Sequence, residues 1–381
     1  MQKYILSLVT LLRQTILVLF VWALLPTIST NAQVQSPQYC SSPYSVEQAF
    51  PTVGPEVSRW KLCWQVVDGP NLVITGAWFR PAPNSAWIKI LYDGRMSQLF
   101  VPYHSGSPRF YDLSYNFSYV PLSVIDCVPP AKIIGNKEVC KDVRDRGLMW
   151  KHKLNERRGE ELSLWSVMAA ANYDYLVEWI FRDDGVFGMR LGMTGIILGN
   201  LQTHMHGTIW RLDMDLNGAC CDTASIMSHK EVGPTGVDSM TDVNNAAGFK
   251  WDPLTFNMLS IRDEALKNPK GKSTEWHLMP SRTGTPMHEE AFTKNTFWVT
   301  PYVWSQTLAD NLPSYIAGNP STKNTDVVLW YYTGVHHIIR DEDLKPNGSA
   351  GMTLVMHDYF HLKPFNLWGQ TPFCNPPSQC Q

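Results

Sequence analysis

The sequence has almost no net charge and no run of basic residues. Its 32 Lys and Arg against 34 Asp and Glu give a formal net charge of −2 at pH 7. A protein that binds nucleic acid neutralises phosphates with a basic patch, so this composition argues against nucleic acid as a partner. The chain also has no internal repeat and no evident linker, which favours one continuous domain over an array of modules.

Long apolar runs are also absent, because the apolar stretch near the start is divided at Arg13 and ends at Pro26. This division leaves it short of the roughly 20 residues needed to span a bilayer. Its flanking residues predict a secretory signal over residues 1–32, cleaved near Ala32, and an uncleaved anchor is the alternative. We therefore expect a secreted, extracellular protein without stable membrane association.

The cysteines all follow the predicted signal, so an oxidising compartment would pair them. Two Asn-x-Ser sequons, at Asn116 and Asn347, are typical of an exported glycoprotein. Cys374 and Cys380 are close enough along the chain for a local disulfide. The pairing of four others stays open on the sequence alone: Cys40, Cys63, Cys220 and Cys221.

Strand-forming residues and turn residues dominate the rest of the chain. Fifteen each of Trp, Tyr and Phe, with 26 Pro and 25 Gly, favour strands and turns over helices. Residues 33–59 are predicted to be an N-terminal lead-in with one helical turn at Ser45 to Phe50. Residues 60–381 are predicted to be one β-rich domain that begins with a meander of antiparallel strands. Tyr173 to Phe181 and Val186 to Met193 flank an Asp-Gly turn and predict a hairpin.

One stretch, residues 203–215, carries two kinds of metal ligand. It is predicted to be a single β-strand, in which alternate side chains face opposite ways. His204 and His206 would therefore lie on one side, and Asp213 and Asp215 on the other. Imidazoles suit copper or zinc, whereas paired carboxylates suit calcium or manganese.

A second predicted strand, from Asp326 to His337, supplies candidates for the missing ligands. These two residues differ by an odd number of positions, so they would again face opposite sides. His337 could then complete the imidazole group and Asp326 the carboxylate group. The alternative interpretation is that each is an ordinary strand or edge residue.

Several short motifs occur in an order that resembles the catalytic domain of the copper amine oxidases, over residues 60–372. The motifs are Asn172-Tyr173-Asp174-Tyr175, His204-Met205-His206 with Arg211-Leu212-Asp213-Met214-Asp215, Phe297-Trp298-Val299-Thr300, Gly334-Val335-His336-His337-Ile338 with Arg340 and Glu342-Asp343, and Leu362-Lys363-Pro364-Phe365-Asn366. The resemblance implies a mainly β fold, a large antiparallel β-sandwich. It also implies a homodimer, and the short segment from Tyr173 to His204 would leave little length for the arms that cross the dimer.

The resemblance assigns a role to each candidate residue. Tyr173 would be the precursor of topaquinone, and Asp112 the catalytic base. Tyr103 would hydrogen-bond the quinone, and Asn172 belongs to the cofactor motif. Further sets are implied: copper(II) ligands His204, His206 and His337; calcium or manganese ligands Asp213, Asp215 and Asp326 with the backbone carbonyls of Met214 and Val327; and a Cys127–Cys140 disulfide.

The implied function is oxidative deamination of a small primary amine by O2 to an aldehyde, ammonia and hydrogen peroxide. Three imidazoles leave copper with open positions for oxygen chemistry. A carboxylate must also take a proton from the substrate carbon, and an apolar pocket would raise the pKa of Asp112 for that task. Phe110 and Tyr111 are candidates for a gate, and the sequence does not name the amine.

Two other functions remain open. The first is a secreted, metal-binding β-sandwich without catalysis, a binding or structural protein. Ala169, where the family has a small polar residue, and the Leu113-Ser114 that follow Asp112 motivate it. The second is a zinc hydrolase, which ranks last because the sequence offers no carboxylate clearly placed to activate zinc-bound water.

Overall fold

Strands form most of the part of the chain that the computed structural model describes. That part comprises residues 40–103, 108–114, 118–153, 155–196, 203–232, 235–267, 273–280, 288–337 and 348–357. Within it, no helix is long and apolar enough to cross a membrane.

The strands, in chain order, are β1 (Ser45–Phe50), β2 (Ser58–Val67), β3 (Asn71–Arg80), β4 (Ile88–Pro102), β5 (Arg109–Tyr111), β6 (Ser118–Val120), β7 (Lys132–Ile134), β8 (Val139–His152), β9 (Asn155–Ala170), β10 (Tyr173–Arg182), β11 (Phe187–Gly195), β12 (His204–Met214), β13 (Asp222–Val232), β14 (Thr235–Asp242), β15 (Ala247–Phe249), β16 (Met258–Lys267), β17 (Ser273–Pro280), β18 (Phe297–Pro301), β19 (Val327–His337) and β20 (Gly348–His357). One short helix, α1 (Leu312–Tyr315), and three 3₁₀ turns, Asp112–Ser114, Ala291–Thr293 and Ala309–Asn311, complete the described elements.

The strands form two antiparallel sheets. The first has the order β1-β2-β3-β4-β12-β19-β18-β15, and β5 pairs with the far end of β4. The second has the order β14-β13-β16-β17-β20-β11-β10-β9-β8-β7, and β6 pairs with β9. Strand β12 therefore lies in the middle of the first sheet, and β10 lies inside the second.

Large aromatic side chains fill the principal core. Five fully buried tryptophans belong to it: Trp60, Trp64, Trp179, Trp210 and Trp276. An aromatic side chain buries about 150–250 Å², and at about 25 cal/mol per Å² each contributes about 4–6 kcal/mol from burial.

Contacts between the sheets fix how one lies on the other. The rings of Trp179 in β10 and Trp210 in β12 meet edge to face at 5.7 Å. The indole N–H of Trp179 also donates to the backbone carbonyl of Leu72 in β3, at 3.1 Å. Because these indoles have a preferred edge-to-face geometry and a polar anchor, β10 is held against the middle of the first sheet.

A second, smaller apolar cluster covers part of the outer face of the first sheet. It includes Phe100, Ile209 and Trp330. Phe292 from the 3₁₀ turn Ala291–Thr293 and Leu312 from helix α1 pack with them. Successive side chains of β12 thus face two different cores, because Ile209 belongs to this cluster and Trp210 to the principal core.

The β-sandwich expected from the sequence is confirmed, as are the early meander (β2, β3 and β4) and the hairpin of β10 and β11. The helical turn predicted at Ser45 to Phe50 is wrong, because this segment is strand β1 and pairs with β2. The Cys127–Cys140 disulfide is present. The pairings that the sequence left open are Cys40–Cys63 and Cys220–Cys221.

Candidate functional site

The pairing of β12 with β19 brings three histidines together. His204 lies directly opposite His337 in the register, and His206 is two residues further along β12 on the same face. All three side chains are buried, and one nitrogen of each lies within 4.8 Å of the others. Within the described ranges, no other set of three His, Cys, Asp or Glu side chains is grouped in this way.

The second sheet contributes a tyrosine to the same place. The hydroxyl of Tyr173 lies 3.3 Å from Nε2 of His204 and 3.1 Å from Nδ1 of His337. Its ring meets the His206 imidazole edge to face at 4.5 Å. Tyr173 is the first residue of β10, directly after the two-residue turn that joins β9 to β10, so the hairpin delivers it to the histidines.

Tight backbone packing holds this end of the hairpin. Gly195 in β11 lies opposite Tyr173 and has a φ of 144°. A Cβ atom at Gly195 would come within 2.3 Å of the carbonyl oxygen of Asn172 and 2.7 Å of the Tyr173 Cα. Only glycine allows both this φ and this close approach. Asn172 itself is in the turn with its side chain exposed, so it does not reach the buried cluster.

Two further tyrosines contact the histidines. The ring of Tyr103 stacks on His204 with 4.0 Å between centroids, and its hydroxyl is 3.5 Å from that of Tyr173. The hydroxyl of Tyr175, on the same face of β10 as Tyr173, lies 2.6 Å from Nδ1 of His206. Tyr175 is part of the motif noted in the sequence, but no role was predicted for it.

The electrostatics of the site keep the His206 imidazole neutral. Burial, followed by the nearby His204 and His337, lowers the pKa of His206 well below its ordinary value. A neutral imidazole offers a lone pair to a metal, whereas a charged imidazolium does not. Burial, with a smaller contribution from the charge of Asp112, raises the pKa of Tyr175 well above its usual range.

These residues fit a copper ion. Among the described residues, nothing hydrogen-bonds the buried Nε2 of His206, as expected of an atom reserved for a metal. Three imidazoles are donors that copper prefers, and they leave room in the coordination shell. The ion would be held by His204, His206 and His337.

The candidate base, Asp112, is buried at the start of the 3₁₀ turn that follows β5. Burial raises its pKa from the ordinary value of 3.8 to about 7. Phe110, two residues earlier, meets the ring of Tyr103 edge to face at 6.0 Å. Tyr111 packs instead on Phe100 in the outer cluster. Of the two candidate gate residues, Phe110 is therefore the one beside the tyrosines.

The carboxylates predicted as a second cation site lie on the other side of β12. Asp213 and Asp215 are buried and Asp326 is half-buried, and each has one buried carboxylate oxygen without a hydrogen bond to any described residue. Burial raises the pKa of Asp213 to about 8 and that of Asp326 to about 6, and neighbouring carboxylates contribute to both.

Cationic side chains already contact part of this carboxylate group. Lys89 forms an ion pair with Asp215, and Arg211 lies 3.4 Å from Asp213. Arg211 also bridges to Asp93, directly opposite Asp213 in β4, at 3.0 Å. The three carboxylates are not grouped as the histidines are, so a calcium or manganese site here stays a prediction, and Lys89 would compete with the cation for Asp215.

The sequence missed one acidic residue of this region. Asp222, in a segment that carried no assignment, is buried and lies opposite Asp263 in the pairing of β13 with β16. Burial, then the charge of Asp263, raises its pKa to about 9. Asp222 falls directly after Cys221 in a turn-rich stretch, and no local pattern marks it as buried.

Some predicted features lie outside the described residues and stay predictions. These are the signal sequence, Arg340, Glu342 and Asp343, the motif from Leu362 to Asn366, the Cys374–Cys380 bridge, and the sequons at Asn116 and Asn347.

An antiparallel β-sandwich with three histidines facing a buried tyrosine defines the class of protein. A family model described as "Copper amine oxidase, enzyme domain" matches residues 109–381. The chain belongs to the copper amine oxidase family.

Similarity to individual members is low but extends along most of the chain. A copper-containing amine oxidase, alpha 2, from Arabidopsis thaliana is 25% identical over 83% of this chain and 58% of its own length. A primary amine oxidase from Arthrobacter sp. is 24% identical over 71% of this chain and 53% of its own. This chain therefore spans only a little over half of these relatives.

Solved structures agree on the fold. A copper-containing benzylamine oxidase from Hansenula polymorpha superposes with a TM-score of 0.69 at 19% identity, over 80% of this chain and 59% of its own. An amine oxidase from Aspergillus nidulans gives 0.66 at 16% identity, over 81% and 52%.

Proposed function

We propose that this protein is a copper- and topaquinone-dependent primary-amine oxidase. It would convert a small primary amine, O2 and water into an aldehyde, ammonia and hydrogen peroxide. The observation that carries the proposal is the position of the Tyr173 hydroxyl, within 3.3 Å of two of the three clustered imidazoles. A tyrosine in that place is the one that a bound metal and O2 could oxidise.

When bound, copper would activate O2, and a quinone made from Tyr173 would accept the amine nitrogen and two electrons. The chain's own residues would do the rest. The hydroxyl of Tyr103, 3.5 Å from that of Tyr173, would hold the ring in place. Phe110 would close one side of the aromatic pocket and keep water from the reacting carbon.

Asp112 would remove the proton from the substrate carbon. Its pKa of about 7 makes it a carboxylate in a large fraction of molecules at neutral pH, yet a much stronger base than an ordinary aspartate. The same burial that raises the pKa also shields the transferred proton from bulk water.

Three further properties belong to this proposal. Disulfides such as Cys40–Cys63 and Cys127–Cys140 support a secreted protein, because such bonds persist in oxidising compartments. The carboxylate group around Asp213 would hold calcium or manganese. Homodimers are common in the family, and we propose a dimer with reduced arms.

The decisive test is mass spectrometry of the peptide that contains Tyr173, after incubation of the purified protein with copper in air. We expect a gain of two oxygens with loss of two hydrogens, and fragment ions should place the change on Tyr173. The neighbouring Tyr175 in the same peptide serves as the internal control. Amine-dependent peroxide release should disappear in Tyr173→Phe, and its persistence there would refute the proposal.

The second candidate is a metal-binding relative without catalysis. Ala169, which pairs with Asp174 beside the cofactor motif, offers no hydroxyl there, and this observation favours it. An unmodified Tyr173 in protein that has demonstrably bound copper would support this candidate.

A further inference from the structure

Tyr175 makes a short hydrogen bond to the histidine cluster. Its hydroxyl lies 2.6 Å from Nδ1 of His206, compared with 3.3 and 3.1 Å for the contacts that Tyr173 makes to His204 and His337. The Tyr175 side chain is fully buried. The contact is therefore shielded from competing water, and the phenol has a fixed position in the sheet interior.

This contact occupies Nδ1 of His206 and leaves Nε2 as the nitrogen that a metal can bind. A neutral imidazole has one N–H and one lone pair, so a proton on Nδ1 leaves the lone pair on Nε2. In that tautomer Nδ1–H donates to the Tyr175 oxygen, and Nε2 has its lone pair available. The opposite tautomer would place an N–H at Nε2, a buried atom for which the described residues provide no partner.

The two tyrosines of the motif therefore have different tasks. Tyr173 lies between His204 and His337, and its ring is the one that the proposed chemistry would change. Tyr175, two residues further along β10, contacts His206 through Nδ1. Its contact is therefore separate from the two contacts that the Tyr173 hydroxyl makes.

We propose that Tyr175 is a positioning residue that fixes His206 in the Nδ1–H tautomer and orients its Nε2 as a copper ligand. The inference rests on the proposed copper site and extends it by one residue. Partners that hold the second nitrogen of a ligand histidine typically change metal affinity 10–100-fold when they are removed.

The test compares wild type, Tyr175→Phe and Tyr315→Phe, all prepared without metal and kept anaerobic so that Tyr173 stays intact. Tyr315 is the matched control because its ring packs in the outer cluster, on the other face of the first sheet. Copper(II) affinity is measured by competition with a chelator of known affinity. We expect binding about 10–100-fold weaker in Tyr175→Phe and unchanged in Tyr315→Phe.

The electron paramagnetic resonance spectrum of bound copper(II) provides a readout that general destabilisation would not change. We expect altered nitrogen hyperfine structure in Tyr175→Phe alone, because one imidazole has lost its fixed orientation. Wild-type affinity and an unchanged spectrum in Tyr175→Phe would overturn the inference and leave the copper site intact. Failure of wild type to bind copper would instead overturn the proposed function.

A second measurement applies if Tyr175→Phe does not fold. Wild-type protein labelled with ¹⁵N-histidine and loaded with zinc can be studied by NMR, with the His206 signals assigned from their absence in His206→Gln. A proton on Nδ1 of His206 is the expected result. A proton on Nε2 would overturn the inference, because the metal would then occupy the nitrogen that faces Tyr175.

Discussion

The substitution Asp112→Asn tests the candidate base through folding as well as through catalysis. Burial raises the Asp112 pKa from 3.8 to about 7, a difference of about three pH units, and each unit corresponds to about 1.36 kcal/mol. The charged carboxylate therefore costs the folded state about 4 kcal/mol. Because the folded pKa is the higher one, this cost is absent below pH 4 and grows as the pH rises to about 7.

Asparagine has nearly the same shape and carries no charge, so the variant should escape this cost. We expect the free energy of unfolding of Asp112→Asn, minus that of wild type, to increase by about 2.5 kcal/mol between pH 5 and pH 8.5. Urea unfolding of the metal-free proteins at both pH values measures it. Asp68→Asn, at an exposed turn before β3, is the matched control. Any effect of the amide itself cancels in the comparison between pH values.

Asp112→Asn should gain stability at high pH but lose catalytic activity. The kcat/KM of wild type should rise with pH through about 7, because only the carboxylate can accept the proton. Asp112→Asn should lose about 10²–10⁴-fold in kcat/KM and lose this pH dependence. A stability difference that stays constant with pH, or a limb near pH 7 that persists in the variant, would refute the assignment.

Three further predictions concern the packing at Gly195, the second cation site and the oligomeric state. Gly195→Ala should destabilise the protein by about 1–3 kcal/mol and slow the modification of Tyr173, because the new Cβ would lie 2.3 Å from the Asn172 carbonyl oxygen. Gly192→Ala is the control and should have a mild effect, because the nearest atom there is 3.7 Å away. Equal losses of stability in urea unfolding would contradict the packing argument. Lys89→Met should tighten calcium binding, measured by calorimetry, at least about tenfold, because it removes the ammonium that competes for Asp215. Absence of calcium binding in both wild type and Lys89→Met would count against the second cation site. Light scattering of the glycosylated protein should give the mass of a dimer, and a clean monomer would exclude it.

The sequence predicted the strands that carry the histidines, and the second of them, from Asp326 to His337, is rich in β-branched and aromatic residues. It predicted that His204 and His206 share a face and that Asp213 lies on the other, since a regular strand alternates. It could not predict that His337 would lie directly opposite His204. That register depends on pairing between segments more than a hundred residues apart.

The errors have physical causes as well. Val46 and Phe50 are four residues apart, a spacing that fits a helical turn, but pairing with β2 makes the segment an edge strand. Strands β13, β14 and β16 escaped notice because many of their side chains are polar. Ion pairs such as Arg262 with Asp242 connect them across the sheet, and such pairs leave no apolar alternation in the sequence.

The candidate site draws its imidazoles from one sheet and Tyr173 from the other, so neither sheet contains the site alone. A newly made chain would have to dock the two sheets before Tyr173 could meet the histidines. Maturation would then have a fixed order in time, in which folding comes first and oxidation of the tyrosine afterwards. A chain whose two sheets had not yet docked would have an unmodified tyrosine at position 173. The presence of the quinone would therefore show that the molecule had already folded.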